Sequence, residues 1–212
     1  MFIKLSLVNI QKRKFGGIIL FQWINFLTYA VITTATPGPN NIMSMSNAGR
    51  VGLKKSYPFN LGIWAGFSAV MIICTVLSSV LNALLPVIKM PMLVLGGAYM
   101  LYLAYKTLKR TGEIGEKQVK NGFLSGLLLQ FINPKIYIYG MVSMESYIMP
   151  HFQHSPVKLF AFAILLATIG CFFNLCWAAF GSAFRLLFSR YARAINTVMS
   201  LLLVYCAVSL FL

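Results

Sequence analysis

Carboxylates are almost absent from this chain. Among 212 residues only Glu113, Glu116 and Glu145 are acidic, against 18 lysines and arginines. General acid-base catalysis draws on tuned carboxylates or histidines, and two of these three acids share one connector. No HExxH helix motif and no Gly-Lys-Thr phosphate loop occurs, so neither an intramembrane hydrolase nor an ATP-driven pump is indicated. Histidine is equally scarce: His151 and His154, beside Pro150 and Pro156 in an expected external loop, are too few for a metal site. Cysteine is confined to Cys74, Cys171, Cys176 and Cys206, all inside apolar stretches where thiols act as small buried hydrophobes. The chain is therefore read as a non-enzyme without cofactor or metal.

Charge of either sign is also thin, at 10% of residues where soluble domains carry about 25%. What fills the chain is apolar: 59% of its residues are hydrophobic, and 14% of all residues are aromatic. This is the composition of an all-α integral membrane protein. The net charge of +15 is not a nucleic-acid footprint, because the basic residues sit in short connectors between apolar runs rather than on a soluble face. It is read as membrane topology and contact with anionic membrane lipids.

A span needs about 20 apolar residues, and six stretches qualify: 21–46 (interrupted), 59–84, 90–108, 122–148, 158–183 and 194–212. The charged, glycine-containing segment 109–121 divides them into halves 21–108 and 122–212, and residues 1–20 form a basic N-terminal segment. Two three-helix halves of similar design must be inverted relative to each other. An echo supports this: the Phe-Leu pairs at Phe26 and Phe123 are each followed by a proline eleven residues on, Pro37 and Pro134. The expected fold is thus six transmembrane helices in two inverted repeats, with helices one and four broken.

Basic residues give the orientation. Connectors after spans one, three and five hold Arg50, Lys54, Lys55, Lys106, Lys109, Arg110, Lys117, Lys120, Arg185, Arg190 and Arg193, against Lys89, Lys158 and the N-terminal Lys4, Lys12, Arg13 and Lys14 on the other side. The richer side is expected to be cytoplasmic, with both termini outside. The N-terminal cluster runs against that assignment, and an amphipathic stretch lying along a membrane surface before Gly16, or a true start downstream of Met1, are both left open.

The two breaks carry the chemistry. In "TATPGPNNI", residues 34–42, Pro37 and Pro39 remove backbone donors and free carbonyls near Thr33 and Ala35, while Gly38 permits a turn. In hydrocarbon, broken backbone survives only inside protein or against a wet cavity. Thr34, Thr36, Asn40 and Asn41 add donors and acceptors at the same depth. Cavity lining is weighed above the alternative, a plain proline kink bonded to neighbouring helices. The second break, Asn133-Pro134-Lys135, adds a cation roughly 20 Å from either end of its span, too deep for a lysine stem to snorkel. Glu145 lies about 15 Å further along the same helix, so a substrate carboxylate is the attractive partner; a cage of backbone carbonyls, or a break that places the lysine nearer an interface, are the alternatives.

Weaker signals are two-sided. Tyr99, Tyr102 and Tyr105 fit either a cavity wall or an interfacial belt. Gly62 and Gly66 mark a helix contact, and Asn174 is either a helix-helix bond or part of the cavity.

"ATPGPNNI", the basic turn "GRVGLKKS", "LGIWAGF", "LGGAYMLYLAYK" and "LQFINPKIYIYG" together resemble the LysE/RhtB family of bacterial amino-acid exporters, from about Trp23 to the C-terminus. The last quarter is similar to the branch that exports cysteine and O-acetylserine. The resemblance implies a multi-pass secondary exporter of the bacterial cytoplasmic membrane, moving small amino acids outward against proton influx. It implies Pro37, Gly38, Pro39, Asn40 and Asn41, with Thr36, as one substrate loop and Asn133, Pro134 and Lys135 as the other. Lys135 would attract the carboxylate of a zwitterionic substrate, and the freed carbonyls with Asn40, Asn41 and Asn133 would take its ammonium. An exporter of homoserine or threonine, and a passive channel for small solutes, are the alternatives; a homo-oligomer is left open.

Overall fold

In the computed structural model, residues 14–15, 18–19, 21–109, 122–184, 186 and 190–211 are described. Short strands β1 (Lys14–Phe15) and β2 (Ile18–Ile19) pair antiparallel; residues 1–13, on which the expected surface stretch falls, and 110–121, most of the linker, lie outside the described residues. Among the described residues, everything regular after β2 is helical: α1 (Trp23–Ala35), α2 (Pro39–Val51), α3 (Leu53–Val76), α4 (Ser78–Leu108), α5 (Gly122–Ile132), α6 (Pro134–Ser143), a π-helical turn Met144–Ile148, α7 (Met149–Phe152), α8 (Pro156–Ala183) and α9 (Ala192–Ser209). Three of these, α3, α8 and α9, are long and apolar enough to cross a membrane.

Both breaks follow from proline. A residue preceding proline is pushed out of the helical region, and Thr36 (ψ 146°), Gly38 (φ −165°, ψ 173°) and Asn133 (ψ 101°) are all extended. The proline that closes each break is at home where it stands, since Pro39 and Pro134 open α2 and α6 at the first helical turn, where a missing N–H costs nothing. The structural counterpart of Pro134 is therefore Pro39, not the Pro37 that the sequence echo aligns with it. Between α2 and α3, Gly52 adopts φ 83°, a conformation that favours glycine and permits the abrupt reversal.

Several boundaries differ from expectation. The second span was expected at 59–84 and the third at 90–108, but α3 starts at Leu53 and ends at Val76, and α4 then runs unbroken from Ser78 past Pro86 and Pro91. Pro86 falls in the expected gap between the two spans and Pro91 just inside the third, yet both are absorbed, as happens in membrane helices whose freed carbonyls find other partners. The fourth helical run also extends beyond residue 148: α7 carries His151, whose Nδ1 lies 3.0 Å from the Tyr147 carbonyl oxygen, so this histidine is helical rather than in a loop.

Helix ends bearing most of the basic residues gather at one end of the molecule. The α3 start meets the α8 end through Leu53 N donating to Ser182 Oγ (3.2 Å), and the α2 end meets the α9 start through Arg50 Nη2 donating to Asn196 Oδ1 (3.1 Å). Ser200 Oγ donates to Ala104 O (2.9 Å), tying α9 to α4, and Gly122 lies on Phe59. At the other end an aromatic cluster of Phe21, Trp23, Phe26, Phe152 and Phe162 packs α1 against α7 and α8.

Packing relies on small residues where helices cross. Gly62 of α3 faces the Phe123 carbonyl, Gly66 faces Leu127, and Gly126 of α5 faces the Phe59 carbonyl, so any side chain at these positions would strike backbone. This bears out the expected Gly62/Gly66 contact. The outward faces are apolar, with Leu95, Phe172, Leu201 and Tyr205 more than half exposed, an exterior suited to lipid rather than water. Tyr102 and Tyr105 are exposed beneath the ammonium groups of Lys106 and Lys109, at 5.8 and 4.6 Å from the ring centres, which is the belt reading; Tyr99 packs into the core.

Candidate functional site

The two breaks meet. Between α1, α2, α3, α6 and α8 lies a cavity with about 350 Å³ of space between atoms, part of it open at the mouth. The first break contributes Thr33, Thr34, Gly38, Pro39, Asn40 and Asn41, and the second contributes Asn133, Lys135, Ile136 and Tyr139. Phe67 from α3 and Gly170 and Asn174 from α8 complete it. Six of the nine expected site residues thus line one cavity. Thr36, Pro37 and Pro134 do not, and act on it through the residues they position.

The carbonyls released at the first break are all taken by the protein's own donors. Ile32 O accepts from Thr36 N (3.1 Å), Thr33 O from Thr36 Oγ1 (2.8 Å), and Thr34 O from Asn41 Nδ2 (2.8 Å). Ala35 O accepts from Trp177 Nε1 (3.2 Å), and Thr36 O accepts from Asn41 Nδ2 (2.9 Å) and Lys135 Nζ (3.0 Å). Pro37 O receives two longer contacts, from Lys135 Nζ at 3.5 Å and Cys206 Sγ at 3.9 Å. This accounts for every carbonyl at the end of α1, as a break at hydrocarbon depth requires.

That accounting corrects one expectation. The freed carbonyls were expected to hold a substrate ammonium; they hold the protein's own donors, and those of Thr36 and Pro37 hold Lys135. Its ammonium also donates to Thr36 Oγ1 (3.1 Å), so among the described residues its partners are uncharged oxygens. The cation sits at the negative end of α1, where a positive charge is favoured. Gly38 is glycine for room rather than for backbone conformation: a Cβ there would lie 3.0 Å from Lys135 Nζ and 3.2 Å from its Cδ.

The amides are engaged with one another as well. Asn40 Nδ2 donates to Gln130 Oε1 (2.7 Å), and Asn40 Oδ1 accepts from Gln130 Nε2 and Asn133 Nδ2, both at 3.2 Å. Gln130 Nε2 also donates to Gly126 O (2.8 Å). Asn133 Oδ1 caps α6 by accepting from Lys135 N (3.2 Å). Gln130, fully buried, was missed by sequence reasoning; a lone glutamine in an apolar helix, three residues before the second break, was the available signal.

The two short helices at the breaks differ at their starts. α6 is capped by Asn133, while no side chain caps α2, whose first-turn N–H groups at Asn40 and Asn41 have no intrahelical acceptor. An uncapped helix start, with a lysine ammonium beside its Gly38, is electrostatically suited to a carboxylate. Tyr139 is committed elsewhere, its hydroxyl donating to Leu166 O at 3.4 Å. Glu145 falls in the π-helical turn and not among the lining residues. Of the four cysteines, Cys74 and Cys206 are buried, Cys171 is half-buried and Cys176 is exposed, and all are free thiols.

A cavity that carries amides and a lysine between two interrupted apolar helices is the construction of a membrane translocator. The comparisons with known proteins agree. The family description "LysE type translocator" matches residues 31–212, and the chain belongs to that family. It is 40% identical over 184 residues to a cysteine/O-acetylserine efflux protein of Klebsiella pneumoniae subsp. pneumoniae, covering 86% of this chain and 93% of the relative. It is 38% identical over 187 residues to proteins of the same name from Escherichia coli (strain K12) and Shigella sonnei, covering 88% of this chain and 95% of each. No solved structure matches the chain.

Proposed function

We propose that the protein exports small zwitterionic amino acids of the cysteine and O-acetylserine type across the bacterial cytoplasmic membrane. The observation that carries this reading is the pairing of Lys135 with the uncapped start of α2 on one cavity wall. A carboxylate entering there replaces the long Lys135 contact to Pro37 O, a weak bond by its length, and takes up the free N–H groups of Asn40 and Asn41. The relatives' printed names supply the substrate class.

The topology that fits is six crossings. α1 with α2 and α5 through α7 each make one broken span, and α3, α4, α8 and α9 make one each. Two inverted halves, 21–108 and 122–212, account for three features: the breaks open on equivalent prolines, α3 packs on α8, and α4 packs on α9. In such an arrangement equivalent helices meet at the axis relating the halves. The end rich in Arg50, Lys54, Lys55, Lys106 and Lys109 faces the cytoplasm. Export proceeds by one half rocking against the other, driven by proton entry.

The test is uptake of radiolabelled cysteine and O-acetylserine into inverted membrane vesicles, with and without an imposed proton gradient. Saturable, gradient-dependent accumulation is expected, and it should fall to background in Lys135→Ala protein that inserts normally. Entry that only equilibrates would replace the exporter with a channel. Saturable uptake of homoserine or threonine alone would move the protein to a different substrate within the same family.

A further inference from the structure

Lys135 and the α2 start meet the carboxylate end of a zwitterion, while the carbonyls released at the first break already hold Thr36, Asn41, Trp177 and Lys135, which leaves the ammonium end without a partner. We infer that Asn174 is the residue that reads the substrate's α-ammonium group; this rests on the export reading and adds the second half of its site.

Asn174 is the lining residue whose polar atom is left over. It lies in α8 and is 2% exposed, and its Oδ1 is fully enclosed with no hydrogen-bond partner among the described residues. Asn40 is engaged with Gln130 and Asn133, Asn133 with Asn40 and Lys135 N, and Asn41 donates its amide nitrogen to two carbonyls; of the fully enclosed polar atoms on lining residues, Asn174 Oδ1 is the one without a partner among the described residues. A buried amide oxygen without a donor is costly, and a ligand N–H relieves that cost. Charge decides which end of the ligand it meets. The α1–α2 and α6 walls present a cation and free N–H groups, so the negative end belongs there, and the α8 wall offers an oxygen. The ring of Phe67, which packs on Gly170 one turn before Asn174, adds an aromatic face of the kind that attracts ammonium ions.

The proposal predicts discrimination rather than mere activity. In vesicles, cysteine should compete with radiolabelled cysteine at least about tenfold better than 3-mercaptopropionate, which has the same thiol and carboxylate but no amine; a hydrogen bond from a charged donor supports that ratio. In Asn174→Leu the ratio should collapse toward one, with inhibition by 3-mercaptopropionate unchanged. Asn174→Asp, which keeps the oxygen and the size, should retain the preference for the amine and serves equally if the leucine variant fails to insert. A role in packing alone would weaken both competitors together, and an Asn174→Leu ratio equal to wild type, or an Asn174→Asp ratio near one, overturns the inference. Absence of saturable uptake in wild type overturns the export reading itself, and this inference with it; uptake with undiminished discrimination in the variant overturns this inference alone.

Discussion

The two breaks solve the same problem differently. Both place an extended residue before a proline that then opens a helix, but the second break is a single residue that closes on itself, Asn133 capping α6 with its own side chain. The first spans Thr36, Pro37 and Gly38, and its loose ends are met from elsewhere: Asn41 from α2, Trp177 from α8, and Lys135 from the other break. The self-contained break is a rigid mount for a charge. The open one leaves α2 uncapped and depends on that charge to hold its carbonyls. A ligand bonding Lys135 and the α2 start, as proposed, would therefore act where the first break depends most on partners from outside it.

Lys135→Ala should break this division of labour most severely. It removes one of the links between the breaks and the proposed anion site at once, so uptake should fall at least about tenfold, the factor that accompanies about 1.4 kcal/mol; vesicle transport with a check of membrane insertion measures it. Next in size is Gln130→Leu, which leaves Asn40 Nδ2 without its acceptor in a fully buried place. A loss of about 1 to 2 kcal/mol is expected, visible as a lower melting temperature in detergent. Asn133→Ala should cost about 1 kcal/mol through loss of the α6 cap, again in stability more than in transport kinetics. The smallest effect belongs to Gly38→Ala. Crowding Lys135 without removing it should raise KM several-fold while leaving the melting temperature near wild type, the reverse of the Asn133→Ala pattern. If the two variants behaved alike, the distinction between an open and a self-capped break would be lost.

Much of the site was legible because the chemistry that breaks a helix is local. Proline restricts its predecessor and loses its donor whatever surrounds it, so both breaks, and Lys135 beside one of them, could be placed from neighbouring residues alone. The same locality could not show that α4 runs through Pro86 and Pro91, across the expected gap between the second and third spans, because absorbing a proline depends on what lies alongside it. It also aligned Pro37 with Pro134, since spacing from a Phe-Leu pair does not reveal which proline starts a helix. Gln130 and Asn174 escaped assignment for a related reason: a single polar residue in an apolar helix is ambiguous until its neighbours are known.

By itself, then, the sequence determined that the chain is a helical membrane protein, that two helices are interrupted, and that a cation stands at one interruption, because composition, hydropathy and proline act over a few residues. Tertiary structure alone decided that the breaks adjoin, that Lys135 is held by Thr36 and Pro37 across 98 to 99 residues of chain, and that Asn40 pairs with Gln130 at a separation of 90. Those outcomes depend on which of several equally polar groups come within about 3 Å of one another, and only the packing of helices around glycines such as Gly62, Gly66 and Gly126 brings them that close.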